Sequence, residues 1–127
     1  MNDFRVIKFN NIRLSTTQYN QLHFESLSFI NSTISENNDC TNVVITHHAP
    51  TLLNYPPQYK NTILNEAFAV ELYDLIEQSN IDYWIYGHHH CNIPDFSIGK
   101  TMLLTNQLGY VAHGEHRVFE NDKVIAV

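Results

Sequence analysis

Cysteine, basic charge and long apolar runs are all scarce in this chain, and each scarcity removes a class of protein. Only two cysteines occur, Cys40 and Cys91. Two make no disulfide framework, and they lack the paired spacing of a zinc knuckle, so both read as buried or partly buried thiols. Lys and Arg number 7 against 13 Asp and Glu, a formal charge of -6. A protein that grips nucleic acid through its phosphates needs many cations, so non-catalytic nucleic-acid binding is not expected. No apolar stretch approaches the roughly 20 residues that span a bilayer, and neither end has a charged segment leading into an apolar one. The expectation is a soluble, cytoplasmic chain with no membrane partner. Repeats, linkers and low-complexity tracts are missing too, and 127 residues suit one domain at most.

Histidine is what the chain has in excess. There are eight, and five of them stand in two tight groups, His47-His48 and His88-His89-His90. The surrounding pattern says where those groups lie. Residues 5–9 and 11–14 read as short strands about an Asn-Asn turn. Leu22, Leu27, Ile30 and Ile34 then recur at helical spacing, with Ser15, Thr16 and Thr17 as capping candidates and Asn37-Asn38-Asp39 as the stop. Residues 42–46 hold the uninterrupted run Val43-Val44-Ile45, the pattern of a strand buried on both faces. It runs straight into His47-His48-Ala49-Pro50.

Pro56-Pro57 makes residues 52–59 a loop. Leu64, Phe68, Leu72, Leu75 and Ile76 trace one face of a helix predicted over 62–79. A second buried strand, 82–86, follows and ends in Gly87-His88-His89-His90. Beyond it, 96–98, 101–105, 117–119 and 123–127 read as short strands punctuated by Gly99, Gly109 and Gly114. The expected core is therefore a β-α-β unit with histidines at the carboxyl ends of both strands, where ligands bind in open α/β sheets.

Imidazoles two residues apart on a sharp loop can enter one cavity, and Gly87 would permit close backbone approach. Imidazole is a ligand for zinc, iron, nickel and, less selectively, manganese. Taken alone, Gly-His-x-His is a weak pattern, and two unrelated surface histidine groups remain the alternative to a metal site. A second histidine pair ending a neighbouring strand favours the metal.

Three segments carry a family resemblance: Val43-Val44-Ile45-Thr46-His47-His48-Ala49-Pro50, Trp84-Ile85-Tyr86-Gly87-His88-His89-His90, and Thr105-Asn106-Gln107-Leu108-Gly109-Tyr110. In order and separation they resemble the late VVxxHHxP, WIxGHxH and NPxGY motifs of calcineurin-like metallophosphoesterases. The stretch around His23-Phe24-Glu25-Ser26-Leu27 also looks like what precedes the first of these. The resemblance implies one half of an αββα sandwich: the C-terminal half, a mixed α/β sheet with flanking helices. It implies a metal-dependent hydrolase of phosphomono- or diesters that uses two divalent cations, Mn, Fe or Zn. His48, two residues before Pro50, and His88 would ligate the second metal, and His90 the first. His47 would be a neighbour, and His89, at the variable position, a solvent-facing or substrate-side residue.

The departures matter as much. The family's early Asp-x-His, Gly-Asp and Gly-Asn-His motifs occur nowhere, and Asp3 and Asp39 are isolated. No catalytic residue is assigned, and half of the ligand shell is missing. Two cations without the bridging carboxylate would repel each other and lack ligands. The expectation is a partial domain over 1–127 with little activity alone, whose partners are a phosphate-ester substrate and either a missing N-terminal half or a second copy. The alternatives are a catalytically inactive module keeping one metal on His48, His88 and His90, and an interaction protein with an exposed sheet edge. Gln107 replaces the proline of NPxGY, and Asn106, Gly109 and Tyr110 read as turn formers. His113 and His116 read as a solvated turn, His23 as a partly buried helix residue, Cys91 as a thiol, and Tyr86 and Asp95 as framework.

Overall fold

Two adjacent asparagines make the first tight turn. Asn10 and Asn11 take left-handed φ values of 50° and 65°, the pair that a two-residue hairpin of type I′ requires and that asparagine tolerates best after glycine. Around them β1 (Lys8–Phe9) pairs antiparallel with β2 (Ile12–Arg13). The expected strand over 5–9 is shorter than its pattern, because Arg5 and Val6 belong to a helical turn, α1 (Asp3–Val6). The computed structural model describes residues 3–60, 62 and 65–126, and they fall into two compact units, Met1–Asn37 and Asn38–Val127.

The first unit ends in α2 (Thr16–Glu36). Its start is a capping box: the Gln18 amide donates to Ser15 Oγ at 3.2 Å, and the Ser15 amide donates to Gln18 Oε1 at 3.0 Å. At its end the Asn37 side chain donates to the Thr33 carbonyl at 2.7 Å. The predicted helix and its stop are both observed. Along it Tyr19, His23, Leu27, Ile30 and Ile34 are sheltered, three and four apart as a single stripe demands, while Leu22, expected on this face, is exposed.

The second unit is α/β, a mixed sheet with helices. Its four strands lie in the order β3-β4-β6-β5: β3 (Val43–Ile45) and β4 (Tyr83–Ile85) are parallel, β4 is parallel to β6 (Thr101–Leu104), and β5 (Phe96–Ile98) is antiparallel to β6. Gly99, at φ 54°, closes the β5–β6 hairpin with Lys100. Trp84, Ile76, Ile81, Ile98 and Leu103 are fully enclosed, and the Trp84 Nε1–H is satisfied by Thr46 Oγ1 at 2.9 Å.

Three expectations are corrected. β3 is not buried on both faces: it is an edge strand, with Val44 enclosed but Val43 42% and Ile45 73% exposed. The helix over 62–79 is two helices, α3 (Asn65–Phe68) and α4 (Tyr73–Gln78); Leu64 lies outside the described residues. Between them the chain is drawn out, because Val70 and Leu72 donate to the carbonyls of Ala49 and Pro50 at 3.1 and 2.9 Å. Glu71 adds to this pull by accepting from Thr51 Oγ1, the Leu52 amide and the Tyr73 amide at 2.7, 3.0 and 3.1 Å. An apolar period of 3.6 cannot register that competition.

The strands expected at 117–119 and 123–127 do not form among the described residues. The chain makes two 3₁₀ turns, Val111–His113 and Glu115–Val118, and then runs irregularly to residue 126; Val127 lies outside the described residues. Side chains occupy the backbone groups that a ladder would use: Asn92 donates to the Val118 carbonyl, and Asn106 exchanges two bonds with Glu120. Among the described residues no helix is long and apolar enough to cross a membrane.

Candidate metal centre

Parallel pairing of β3 with β4 is what brings the two histidine groups together. The register Ile45↔Ile85 ends both strands at one level. The ladder then continues past them, with the Thr46 amide donating to the Ile85 carbonyl at 3.0 Å and the Gly87 amide to the His47 carbonyl at 3.1 Å. Both motifs therefore leave the sheet at its carboxyl edge, side by side. A Cβ on Gly87 would meet the His47 carbonyl at an ordinary 3.6 Å, so the close approach expected of this glycine is not used.

Three consecutive histidines leave β4 in three directions. His88 and His90 have φ values of 75° and 50°, left-handed backbone that costs a non-glycine residue roughly 1 kcal/mol or more each. Because β4 is central, one of its neighbours is the end of β3 and the other is the end of β6. His88 turns toward β3, His90 toward the segment after β6, and His89 is buried between them.

His88 Nδ1 is 3.0 Å from His47 Nε2. The rings of His47, His48 and His88 lie with centroids 4.7–5.1 Å apart, and one ligand atom from each lies within 4.8 Å of the others. Phe68 packs on His88 at 4.4 Å and covers it from α3. Burial, then the neighbouring imidazoles of His48 and His47, pushes His88 down to about 4. It is held neutral, and the neutral form is the one that ligates a metal.

His90 stands apart from that group. Its Nδ1 is 3.1 Å from Glu115 Oε2, and its ring packs edge-on against Tyr110. Its backbone N–H donates to Gln107 Oε1 at 2.7 Å. The Tyr110 amide donates to Glu115, and that bond, followed by His90, holds the Glu115 carboxyl below the usual range. Of the three ligands expected, the structure brings together His48 and His88, adds His47, and turns His90 to a carboxylate. An imidazole bonded through Nδ1 to a carboxylate presents Nε2 to a metal, as metal-ligating histidines commonly do.

His89 is buried, not solvent-facing: its Nε2 is 2.6 Å from the Tyr55 hydroxyl, and Tyr59 lies against it. Burial lowers its pKa and raises that of Tyr55. Cys91 is half-buried, accepts from Gln58 at 3.3 Å and lies outside the three-imidazole group. Tyr86 is buried, its phenol pushed up to about 12 by that burial and by Asp95. His113 and His116 are exposed, and His23 is half-buried on α2.

Two residues near the histidines were not legible as such. Glu115 lies 25 positions from His90, and no local spacing links them. Gln107 was read as a lost proline, yet it organises the loop: its amide N–H donates to Asn92 Oδ1 at 2.6 Å, and its side chain reaches Cys91 O and Thr105 Oγ1 at 3.2 and 2.8 Å. Proline has no N–H and would lose the first of these bonds. Comparison with known proteins found no match to a family model, to a curated protein or to a solved structure.

Proposed function

We propose that the chain is the C-terminal half of a calcineurin-like metallophosphoesterase domain, a hydrolase of phosphomono- or diesters whose site is completed by further polypeptide. The observation that carries this reading is the exit of His47-His48 and His88-His89-His90 side by side from two adjacent parallel strands. On this reading the sheet of β3 to β6 is one sheet of the αββα sandwich. The exposed Val43 and Ile45 are then apolar surface that a missing N-terminal half or a second copy would cover.

The donor set fits divalent cations in part. His48 and His88 would hold one cation and His90 another, and neutral imidazoles suit Mn, Fe or Zn better than Mg. Bound metals of this class supply a hydroxide near neutral pH and stabilise phosphoryl oxygens. The chain's own residues prepare the donors: Phe68 covers His88, Gln107 fixes the backbone of His90, and Glu115 takes the Nδ1–H of His90. No carboxylate joins His47, His48 and His88 in their group among the described residues, so the bridging ligand belongs to the polypeptide that completes the site.

The test is hydrolysis of bis-p-nitrophenyl phosphate with Mn, beside His88→Ala and His90→Ala. The chain alone is expected to show no turnover above a protein-free Mn blank. Turnover abolished by both substitutions would overturn the incomplete site, and turnover indifferent to both would overturn the assignment of hydrolysis to these histidines. With no turnover, inorganic phosphate added with Zn is expected to shift the His88 and His90 imidazole resonances, and indifference to phosphate would count against a phosphoesterase.

A further inference from the structure

We infer that His47, His48 and His88 form a three-imidazole site that takes one borderline transition cation, Zn, Co, Ni or Cu, without any contribution from His90. The inference does not depend on hydrolysis, and it gives the cation His47 as third ligand where a module holding one metal on His48, His88 and His90 would use His90.

Three observations carry it. The three rings form a nearly equilateral triangle, with centroids 5.1, 4.9 and 4.7 Å apart, and they meet at 53°, 81° and 86°, so no two of them stack face to face. Their nitrogens are already close: each can place one within 4.8 Å of the other two, and His88 Nδ1 and His47 Nε2 are 3.0 Å apart. A zinc held tetrahedrally at about 2.0–2.1 Å by each nitrogen needs nitrogens about 3.4 Å apart. Closing the set takes side-chain movement on the order of 1 Å.

The surroundings then choose the cation. All three donors are imidazole nitrogens and no carboxylate joins the group among the described residues, which disfavours Mg, Ca and other cations that prefer oxygen. His47 is exposed while His48 and His88 are half-buried, so the cation can enter from the His47 side and its fourth ligand would be solvent. On binding, the imidazole bond between His88 and His47 is exchanged for two metal–nitrogen bonds. Backbone holds the donors in place: Thr46 Oγ1 donates to the His48 carbonyl at 2.8 Å, and Gly87 N–H donates to the His47 carbonyl at 3.1 Å.

The experiment is titration of the metal-free chain with Zn by calorimetry and with Co by visible absorption. The wild-type chain, His47→Ala, His47→Gln, His88→Ala and His90→Ala are compared, each checked by thermal unfolding. One equivalent is expected, with the intense absorption of four-coordinate Co. His88→Ala and both His47 variants should weaken binding by roughly 100-fold, and His90→Ala by less than about 2-fold. His47→Gln keeps a polar side chain at an exposed position, so its loss of binding with unchanged unfolding is not a folding failure. Loss in His90→Ala with the His47 variants unaffected would return the third ligand to His90 and overturn the inference while sparing the phosphoesterase reading. Absence of binding by the wild-type chain would overturn it as well.

Discussion

Gly109 is the residue that lets Glu115 reach His90. It sits at φ 62°, and a Cβ built there would lie 2.5 Å from Glu115 Cβ, 2.8 Å from its Oε2 and 3.1 Å from His90 Cβ. Alanine at this position is strained by its backbone and collides with the carboxylate that holds the imidazole. Gly109→Ala is expected to destabilise the protein by about 1–3 kcal/mol, read as a lower urea midpoint at unchanged slope. An unchanged midpoint would mean the loop relaxes freely and the Glu115 contact is not built in. At this scale His48 and His88 could be picked out from sequence, because both stand in short motifs. Glu115 and Gln107 could not, since their partners lie 25 and 17 positions away. The burial of His89 was equally hidden, because three identical side chains in a row carry no signal of which one points inward.

Among the elements, those governed by local chemistry matched their reading. The Asn10-Asn11 turn and the α2 cap depend on residues within three or four positions of one another. Ser15→Ala removes the acceptor for the Gln18 amide and is expected to cost about 1 kcal/mol, seen as a lower thermal midpoint with reduced far-UV helical signal. No change in either would show that the box contributes nothing to the helix. Elements that depend on distant partners were read less well. The stretch after Phe68 is apolar at helical spacing, yet its amides go to Ala49 and Pro50. The strands expected near the C-terminus have their ladder groups occupied by Asn92 and Asn106. Buried strands and edge strands share the same Val-Val-Ile pattern, so the exposure of Ile45 needed the strand order to be known.

Across the whole molecule, one part of the acid response is tied to Asp82 at the head of β4. Its carboxylate accepts from the Asn42 amide at 2.8 Å and from Lys100 at 2.9 Å, and these two bonds, the Asn42 one first, lower its pKa. A carboxyl lowered on folding stabilises the native state above its unfolded pKa of about 3.9, and that stability is lost as pH falls through the lower folded value. Below about pH 4 this carboxylate adds its loss to one that sets in below about pH 6.5, where unfolding lets the buried His88 and His89 take up protons, and Asp82→Asn is expected to be weaker at neutral pH with a flatter limb below about pH 4. An equally steep limb in the variant would assign the acid sensitivity elsewhere. Sequence by itself determined the α/β class, the two histidine-bearing strand ends and the capped helix, because each is written in contiguous residues with a period or a cap. Only the tertiary structure decided which imidazoles share a space. That depends on the parallel register of β3 with β4, on the left-handed backbone at His88 and His90, and on side chains brought in from far along the chain.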